Sequence, residues 1–246
     1  MITINLFTSE KHTQPVIKAL KEAKNIKLLD IYKKLNSASK ADVFIIADFG
    51  QIIPKKILEM PKYGSLCLHP SLLPKYRGAS PVQYAIMNAE KETGMTIFKM
   101  DEKIDHGPVI SQKKVKIKPN DIQETLYKRL FIIGAQVLIT ILPTWVEGKI
   151  KPRPQDHSKA TYAPLLSRKD GKINWQKSDA EIERFIRAMT PWPSAWAYVQ
   201  PNKKRLKILK AHLENGKLVF DLVQLEGKKP ITWKQFLAGY STYRFS

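Results

Sequence analysis

Cys67 and His69 stand two residues apart in the apolar run Ser65-Leu-Cys-Leu-His69. On a strand, side chains alternate between faces, so this pair points the same way. An imidazole moves protons well at neutral pH. A thiol beside it is either an inert small hydrophobe or, once ionised by the imidazolium, a nucleophile. Pro70 and Pro74 then stop regular structure, Arg77-Gly78 supplies a turn, and Ser80-Pro81 reads as N-cap and N1 of a helix to about Glu90. A histidine at a strand end, beside a rigid loop and a helix N-terminus, is how α/β enzymes build sites. The same placement also suits a merely structural histidine, so the pair alone does not decide.

The elements that must position the pair follow from periodicity. Ile2–Phe7, Ile26–Ile31 and Val43–Ala47 are apolar runs of the parallel-strand kind, and Val16, Ile17 and Leu20 give a helix over Gln14–Ala23. The loop Thr8-Ser-Glu-Lys-His12 has no glycine, which argues against a dinucleotide-binding turn. Pro54 begins a short helix ending near Met60, and Met95–Met100 and Val109–Ile117 alternate as strands. Asp121 and Glu124 have capping-box spacing, heading a helix with Leu126, Leu130, Ile133 and Val137 on one face that Pro143 bends or ends. Ser178 and Glu181 repeat that spacing ahead of Ile182, Phe185, Ile186 and Met189. Three strands then follow, over Ala195–Val199, Leu206–Leu213 and Leu218–Leu225. Strands alternating with helices predict a doubly wound α/β sheet, followed by a small β-domain. Lys151-Pro-Arg-Pro154 reads as a semi-rigid linker, giving domains 1–148 and 161–246 joined by 149–160.

The chain has 42 Lys+Arg against 22 Asp+Glu, a net charge of +20, and residues 151–246 carry 19 of the basic and 8 of the acidic side chains. Such an excess points to a polyanionic partner, or else to a solubility device. A single cysteine excludes a disulfide framework and fits a reducing compartment. No uninterrupted apolar run reaches about 18 residues, so no membrane span is expected. The start Met1-Ile-Thr-Ile-Asn-Leu has strand character rather than that of a basic leader. His12, His157 and His212 lack metal-ligand spacing, and no metal is expected. These features predict a cytoplasmic monomer.

The run Cys67-Leu-His-Pro-Ser-Leu-Leu-Pro-Lys-Tyr-Arg-Gly-Ala-Ser-Pro81, with Thr93-Gly-Met-Thr-Ile97 and Met100-Asp-Glu-Lys-Ile-Asp-His-Gly107 downstream, resembles the signature of the folate-dependent formyltransferases. The likeness extends from about Ala41 to Tyr240 and takes in Thr161-Tyr-Ala-Pro-Leu-Leu-Ser167 and Arg187-Ala-Met-Thr-Pro-Trp-Pro193. It implies a Rossmann-like, mostly parallel sheet, followed by a truncated oligonucleotide-binding-type barrel. It also implies formyl transfer from 10-formyltetrahydrofolate to the methionyl amino group of charged initiator tRNA. The alternatives are a catalytically impaired tRNA- or folate-binding homologue, or a formyltransferase for another amine such as an amino-sugar nucleotide.

By that resemblance His69 is the active-site histidine and Asp105 its carboxylate, while the family's asparagine position holds Cys67. A thiol cannot replace an amide N–H at the formyl oxygen, and losing one such donor typically costs ~10²–10³ in turnover. Three readings stay open: slow formylation, a fold that has lost turnover, or a Cys67 thiolate that accepts the formyl group. The resemblance places Ser71, Leu72, Leu73 and Pro74 at the folate, with the pterin against the backbone around Phe49, Gly50, Asp101 and Ile104. His106 occupies a variable position and is expected to face solvent. The basic set Lys203, Lys204, Arg205, Lys207 and Lys210, with Lys151 and Arg153, is the expected RNA contact, through phosphates rather than bases. The family's additional basic loop has no room before Ala41.

Overall fold

A computed structural model describes residues 1–9, 11–35 and 37–245; Glu10 of the glycine-free loop lies outside them. The chain falls into two compact units: Met1–Pro81, Lys91–Ile117 and Leu126–Pro164 form the first, and Val82–Glu90, Lys118–Thr125 and Leu165–Ser246 the second.

The first unit is built on a six-stranded sheet of β1 (Ile2–Thr8), β2 (Ile26–Tyr32), β3 (Val43–Ala47), β4 (Ser65–His69), β5 (Glu92–Lys99) and β6 (Val109–Lys116), in the order β2-β1-β3-β4-β5-β6. The pairs from β2 to β4 are parallel, and β5 and β6 add antiparallel. All five residues of β3 are buried, as a strand covered on both faces requires. Thr8 pairs with Ala47 and Ala47 with Leu68, so β1, β3 and β4 end along one carboxyl edge. In open α/β sheets ligands collect outside that edge. Helix α1 (Gln14–Glu22) buries Val16, Ile17 and Leu20, as its spacing predicts, and α2 is the short Lys55–Leu58.

Helix α3 (Pro81–Met87) ends before the expected Glu90. Helix α4 (Gln123–Val146) starts later than the Asp121 capping box predicts, because the Asp121 carboxylate instead accepts from Lys118 N–H and Thr125 Oγ1. Pro143 does not end it: the helix runs three residues further, with the proline in its last turns. Contrary to the reading from uninterrupted apolar runs, α4 is long and apolar enough, by length and composition, to cross a membrane. Its Leu126, Leu130, Phe131, Leu138 and Leu142 are fully buried, which is also how the core helix of a globular domain behaves.

The second unit carries a five-stranded antiparallel sheet in the order β10-β9-β8-β7-β11. The three expected strands are β7 (Ala195–Gln200), β8 (Lys204–Glu214) and β9 (Lys217–Leu225). The edges are β10 (Ile231–Thr232) and β11 (Arg244–Phe245), two residues each and too short to leave a period in the sequence. Helix α5 (Asp179–Met189) has the predicted capping box, Ser178 Oγ accepting from Glu181 N–H and Glu181 accepting from Ser178 N–H. It packs Ile182, Ile186 and Met189 with Leu206, Ile208 and Val223 in one core. Helix α6 (Trp233–Gly239) adds Phe236 to that core.

Candidate active site

His69 ends β4 only 5 % exposed, and Asp105 lies on the loop between β5 and β6. The two meet: His69 Nδ1 is 3.4 Å from Asp105 Oδ2. His69 Nε2–H donates to the Tyr76 carbonyl at 2.9 Å, so the ring is fixed and Nδ1 is the nitrogen left facing the carboxylate. The same Asp105 oxygen accepts from Gly78 N–H at 2.7 Å. Gly78 has φ +113, and a Cβ there would lie 2.7 Å from the Ala163 carbonyl, so glycine alone lets this amide reach the carboxylate.

Cys67 sits one alternation before His69. Its thiol packs against the cluster of Phe7, Phe44, Ile46, Phe49, Ile53 and Leu58. Burial pushes it well above its usual value, and the nearby Asp105 carboxylate adds to the rise. At neutral pH Cys67 is therefore a thiol, not a thiolate.

The loop after His69 is tied to the antiparallel arm of the sheet. Thr96 Oγ1 donates to the Ser71 carbonyl at 2.6 Å and accepts from Leu73 N–H at 3.2 Å. Gln112 Nε2 donates to the Leu73 carbonyl at 2.7 Å. Ser71 Oγ donates to Lys75 O and Ser71 N–H to the His69 carbonyl, so the polar groups of Ser71 and Leu73 are partnered within the protein; Ser71, Leu73 and Phe49 are buried, while Leu72 and Pro74 are half-buried. Ile104, beside Asp105, is 65 % exposed, and Gly50, at φ +67, has nothing within 4 Å of where a Cβ would stand. Apolar side chains and open backbone flanking a polar pair suit a flat heteroaromatic ring. Asp101 bonds Lys103 N–H and lines a cavity of about 460 Å³ with Lys55, Ser65 and Lys99, at the start of β4 rather than its end.

His106 does not face solvent freely: Nδ1 pairs with Asp101 Oδ2 at 2.6 Å, and its ring stacks on His157, centroids 4.0 Å apart and planes 6° from parallel. Arg77, 3 % exposed, donates from Nη2 to Gln155 Oε1 at 2.7 Å and to His157 Nδ1 at 2.8 Å. The stretch expected to be a linker is thus bound into the first unit, and Arg153 also bridges to Val109. Sequence reasoning missed Gln155 and His157, whose side chains carry no periodic signal; only Arg77 lay inside a recognisable run. Asp48, at φ +50, accepts from Ser9 Oγ and from Tyr127 OH, whose hydroxyl burial raises well above its usual value with Asp48 adding to it.

On the second unit, Lys203, Lys207 and Lys210 are exposed and Lys204 and Arg205 half-exposed. Trp196 pairs across strands with Lys207, and Tyr198 with Arg205. Arg205 is ion-paired to Glu226 at 2.9 Å and lies over the Trp196 ring at 5.9 Å. A cavity of about 350 Å³ opens here between Arg168, Trp192, Trp196 and Lys207. On the first unit, Lys151 and Arg153 are exposed.

Residues 5–142 match the formyl transferase family, and residues 165–218 match the formyl transferase C-terminal domain. The chain is 40 % identical over 228 residues to the methionyl-tRNA formyltransferase of Thermodesulfovibrio yellowstonii, covering 84 % of this chain and 73 % of that protein. It is 40 % identical over 243 residues to that of Dictyoglomus thermophilum, covering 88 % and 76 %. Among solved structures, methionyl-tRNA formyltransferase from Clostridium thermocellum superposes with a TM-score of 0.72 at 21 % identity, covering 92 % of this chain and 99 % of that one. HypX from Aquifex aeolicus in complex with tetrahydrofolic acid gives 0.73 at 16 %, covering 96 % and 47 %. With its fold, its His69–Asp105 pair and these matches together, the chain belongs to the formyl transferase family.

Proposed function

We propose that this chain transfers the formyl group of 10-formyltetrahydrofolate to the amino group of methionine carried on initiator tRNA. The observation that carries the reading is the approach of His69 Nδ1 to Asp105 Oδ2 within a chain that is 40 % identical to proteins named for that reaction. The folate supplies the formyl carbon. Transfer makes a C–N bond to the acceptor amine and breaks the one to folate, moving one proton from the first nitrogen to the second. His69 and Asp105 hold that proton between them: Tyr76 O fixes the imidazole from one side, and Gly78 N–H fixes the carboxylate from the other. Negative charge building on the formyl oxygen needs a donor, which the Cys67 thiol supplies only weakly. Because burial holds the thiol protonated, slow formylation is better supported than a thioester on Cys67.

Ser71, Leu72, Leu73 and Pro74 with Phe49, Gly50 and Ile104 are the residues we assign to the folate; Asp101, which lines the cavity at the start of β4, is left out of that set. Lys203, Lys204, Arg205, Lys207 and Lys210, with Lys151 and Arg153, are assigned to the RNA. Residues 1–148 carry the chemistry, 149–160 fold against them as well as joining the two parts, and 161–246 engage tRNA, in a cytoplasmic monomer that needs no membrane. Aromatic and basic side chains alternating across β7 and β8 support this, since RNA is held by phosphate contacts and by stacking.

The test is incubation with 10-formyltetrahydrofolate and either methionyl-tRNA or an amino-sugar nucleotide, for the wild type, His69→Ala and Asp105→Asn. Formyl-methionyl-tRNA should form, and each variant should lose roughly 10²–10⁴ in kcat/KM, the usual scale for a proton-transfer group. Formylation of the sugar alone, or wild-type rates in both variants, would overturn the reading.

A further inference from the structure

We infer that Gln155 is a positioning residue for the reaction, holding the Asp105 loop so that the carboxylate meets His69; this rests on the proposed role of that pair. Gln155 is 7 % exposed, and its three side-chain hydrogen bonds are made to one small circuit. Its Nε2 donates to the Asp105 carbonyl at 2.9 Å and to the Gly107 carbonyl at 2.7 Å. Its Oε1 accepts from Arg77 Nη2 at 2.7 Å. The guanidinium can only donate, which fixes the orientation of the amide: the oxygen faces Arg77 and both N–H groups face the loop.

The circuit closes through the chemistry. Arg77 precedes Gly78, whose N–H donates to Asp105 Oδ2, the oxygen 3.4 Å from His69 Nδ1. Asp105 therefore has its backbone carbonyl held by Gln155 and its carboxylate held by the residue next to the arginine that holds Gln155. Asp105 gains from such bracing, because its φ of +47 is a left-handed conformation that a residue bearing a Cβ adopts only at a cost. The carbonyls of Asp105 and Gly107 are the acceptors that bracket the turn. One amide group spanning both sets the loop's curvature and, with it, the direction of the carboxylate. Among the described residues Arg77 has no carboxylate as a hydrogen-bond partner and its Nε is unpaired, so its side chain is held through Nη2 by Gln155 and His157.

The experiment compares Gln155→Leu, Gln155→Glu, Asp105→Asn and the double variant Gln155→Leu/Asp105→Asn in the full chain, by steady-state formylation and thermal melting. Gln155→Glu is the informative single change. It keeps an oxygen for Arg77, now as an ion pair, but removes both N–H donors from the Asp105 and Gly107 carbonyls. We expect Gln155→Glu and Gln155→Leu each to lower kcat about 10- to 100-fold, the scale on which misplacing a reacting group costs rate. KM for the folate donor and for the tRNA should stay within about twofold of wild type. Gln155→Glu should melt below wild type, since a carboxylate oxygen then faces two carbonyls, so all rates are compared at a temperature where every variant is folded. In the Asp105→Asn background, Gln155→Leu should cost less than about twofold more, since a residue acting through Asp105 has nothing left to position. Wild-type kcat in Gln155→Glu, or losses that multiply in the double variant, would overturn the inference while leaving the His69–Asp105 reading intact. An Asp105→Asn variant with unchanged kcat would instead remove the reading on which it rests.

Discussion

Arg77 Nη2 donates to His157 Nδ1 at 2.8 Å, and a donated hydrogen bond at that nitrogen requires it to be unprotonated. Loss of solvent lowers His157 below its ordinary 6.5, and His106 and Arg77 lower it further; Lys103 acts in the same sense and Asp101 against it. A group depressed in the folded state is protonated first in the unfolded chain. The stability it gives is complete above pH 6.5 and is lost as pH falls toward the folded value. Melting temperature should therefore fall as pH drops below about 6.5, and less steeply in His157→Gln, which keeps an acceptor for Arg77 without a titrating ring. Parallel melting-against-pH curves for the two proteins would contradict this.

Cys67 stands where the signature that this chain resembles has an asparagine. Cys67→Asn should raise kcat at least about tenfold, because an amide N–H placed on that strand face restores a proper donor for the developing oxyanion. The half-buried thiol, kept protonated, should react slowly with iodoacetamide at neutral pH and faster once the protein is unfolded. A fall in formylation in Cys67→Asn, together with rapid alkylation of the folded enzyme, would reinstate the thiolate.

Gly107 lies where the Asp105 loop rejoins the sheet, and a Cβ there would fall 1.9 Å from the Lys99 carbonyl. That neighbour is backbone and cannot swing aside. Gly107→Ala should cost about 2–4 kcal/mol, lowering the melting temperature by roughly 4–16 °C for a chain of this size. It should also reduce kcat by shifting Asp105. A variant that melts like wild type would show that the loop does not pack as described.

The outward face shared by β7 and β8 should behave as an RNA surface of two kinds. Lys207→Ala should weaken tRNA binding and reduce the slope of log affinity against log salt by about 0.7–1. Trp196→Ala should cost about 1–3 kcal/mol with the salt slope unchanged, as loss of stacking does. Equal salt slopes in wild type and Lys207→Ala, measured by filter binding across a salt series, would remove this face from the interface.

The parallel core of the sheet was legible from its apolar runs, and both halves of the His69–Asp105 pair from the resemblance to the family signature, whereas nothing local showed that β5 and β6 run antiparallel. Val43–Ala47 is apolar throughout since both its faces are covered, and the Pro70–Pro74 loop declares itself by its breakers. What stayed hidden depends on tertiary contact. Gln155 lies in a proline-rich stretch that reads as a spacer, and nothing local reveals that its amide spans the Asp105 and Gly107 carbonyls. His106 looked like a surface residue because its partner, His157, is remote in sequence. The edge strands β10 and β11 are too short to show a period, and Pro143 stays inside α4 because it falls near the helix end.

The Thr96 hydroxyl, bonded to Ser71 and Leu73 at once, makes the stretch after His69 an outgrowth of the β-sheet and not a hinge. One wall of the reaction chamber is thus cast in place before any substrate arrives. Accommodation of a large incoming acceptor has to be found in other segments, and amide exchange along 71–73 should keep pace with the sheet interior instead of with the surface turns.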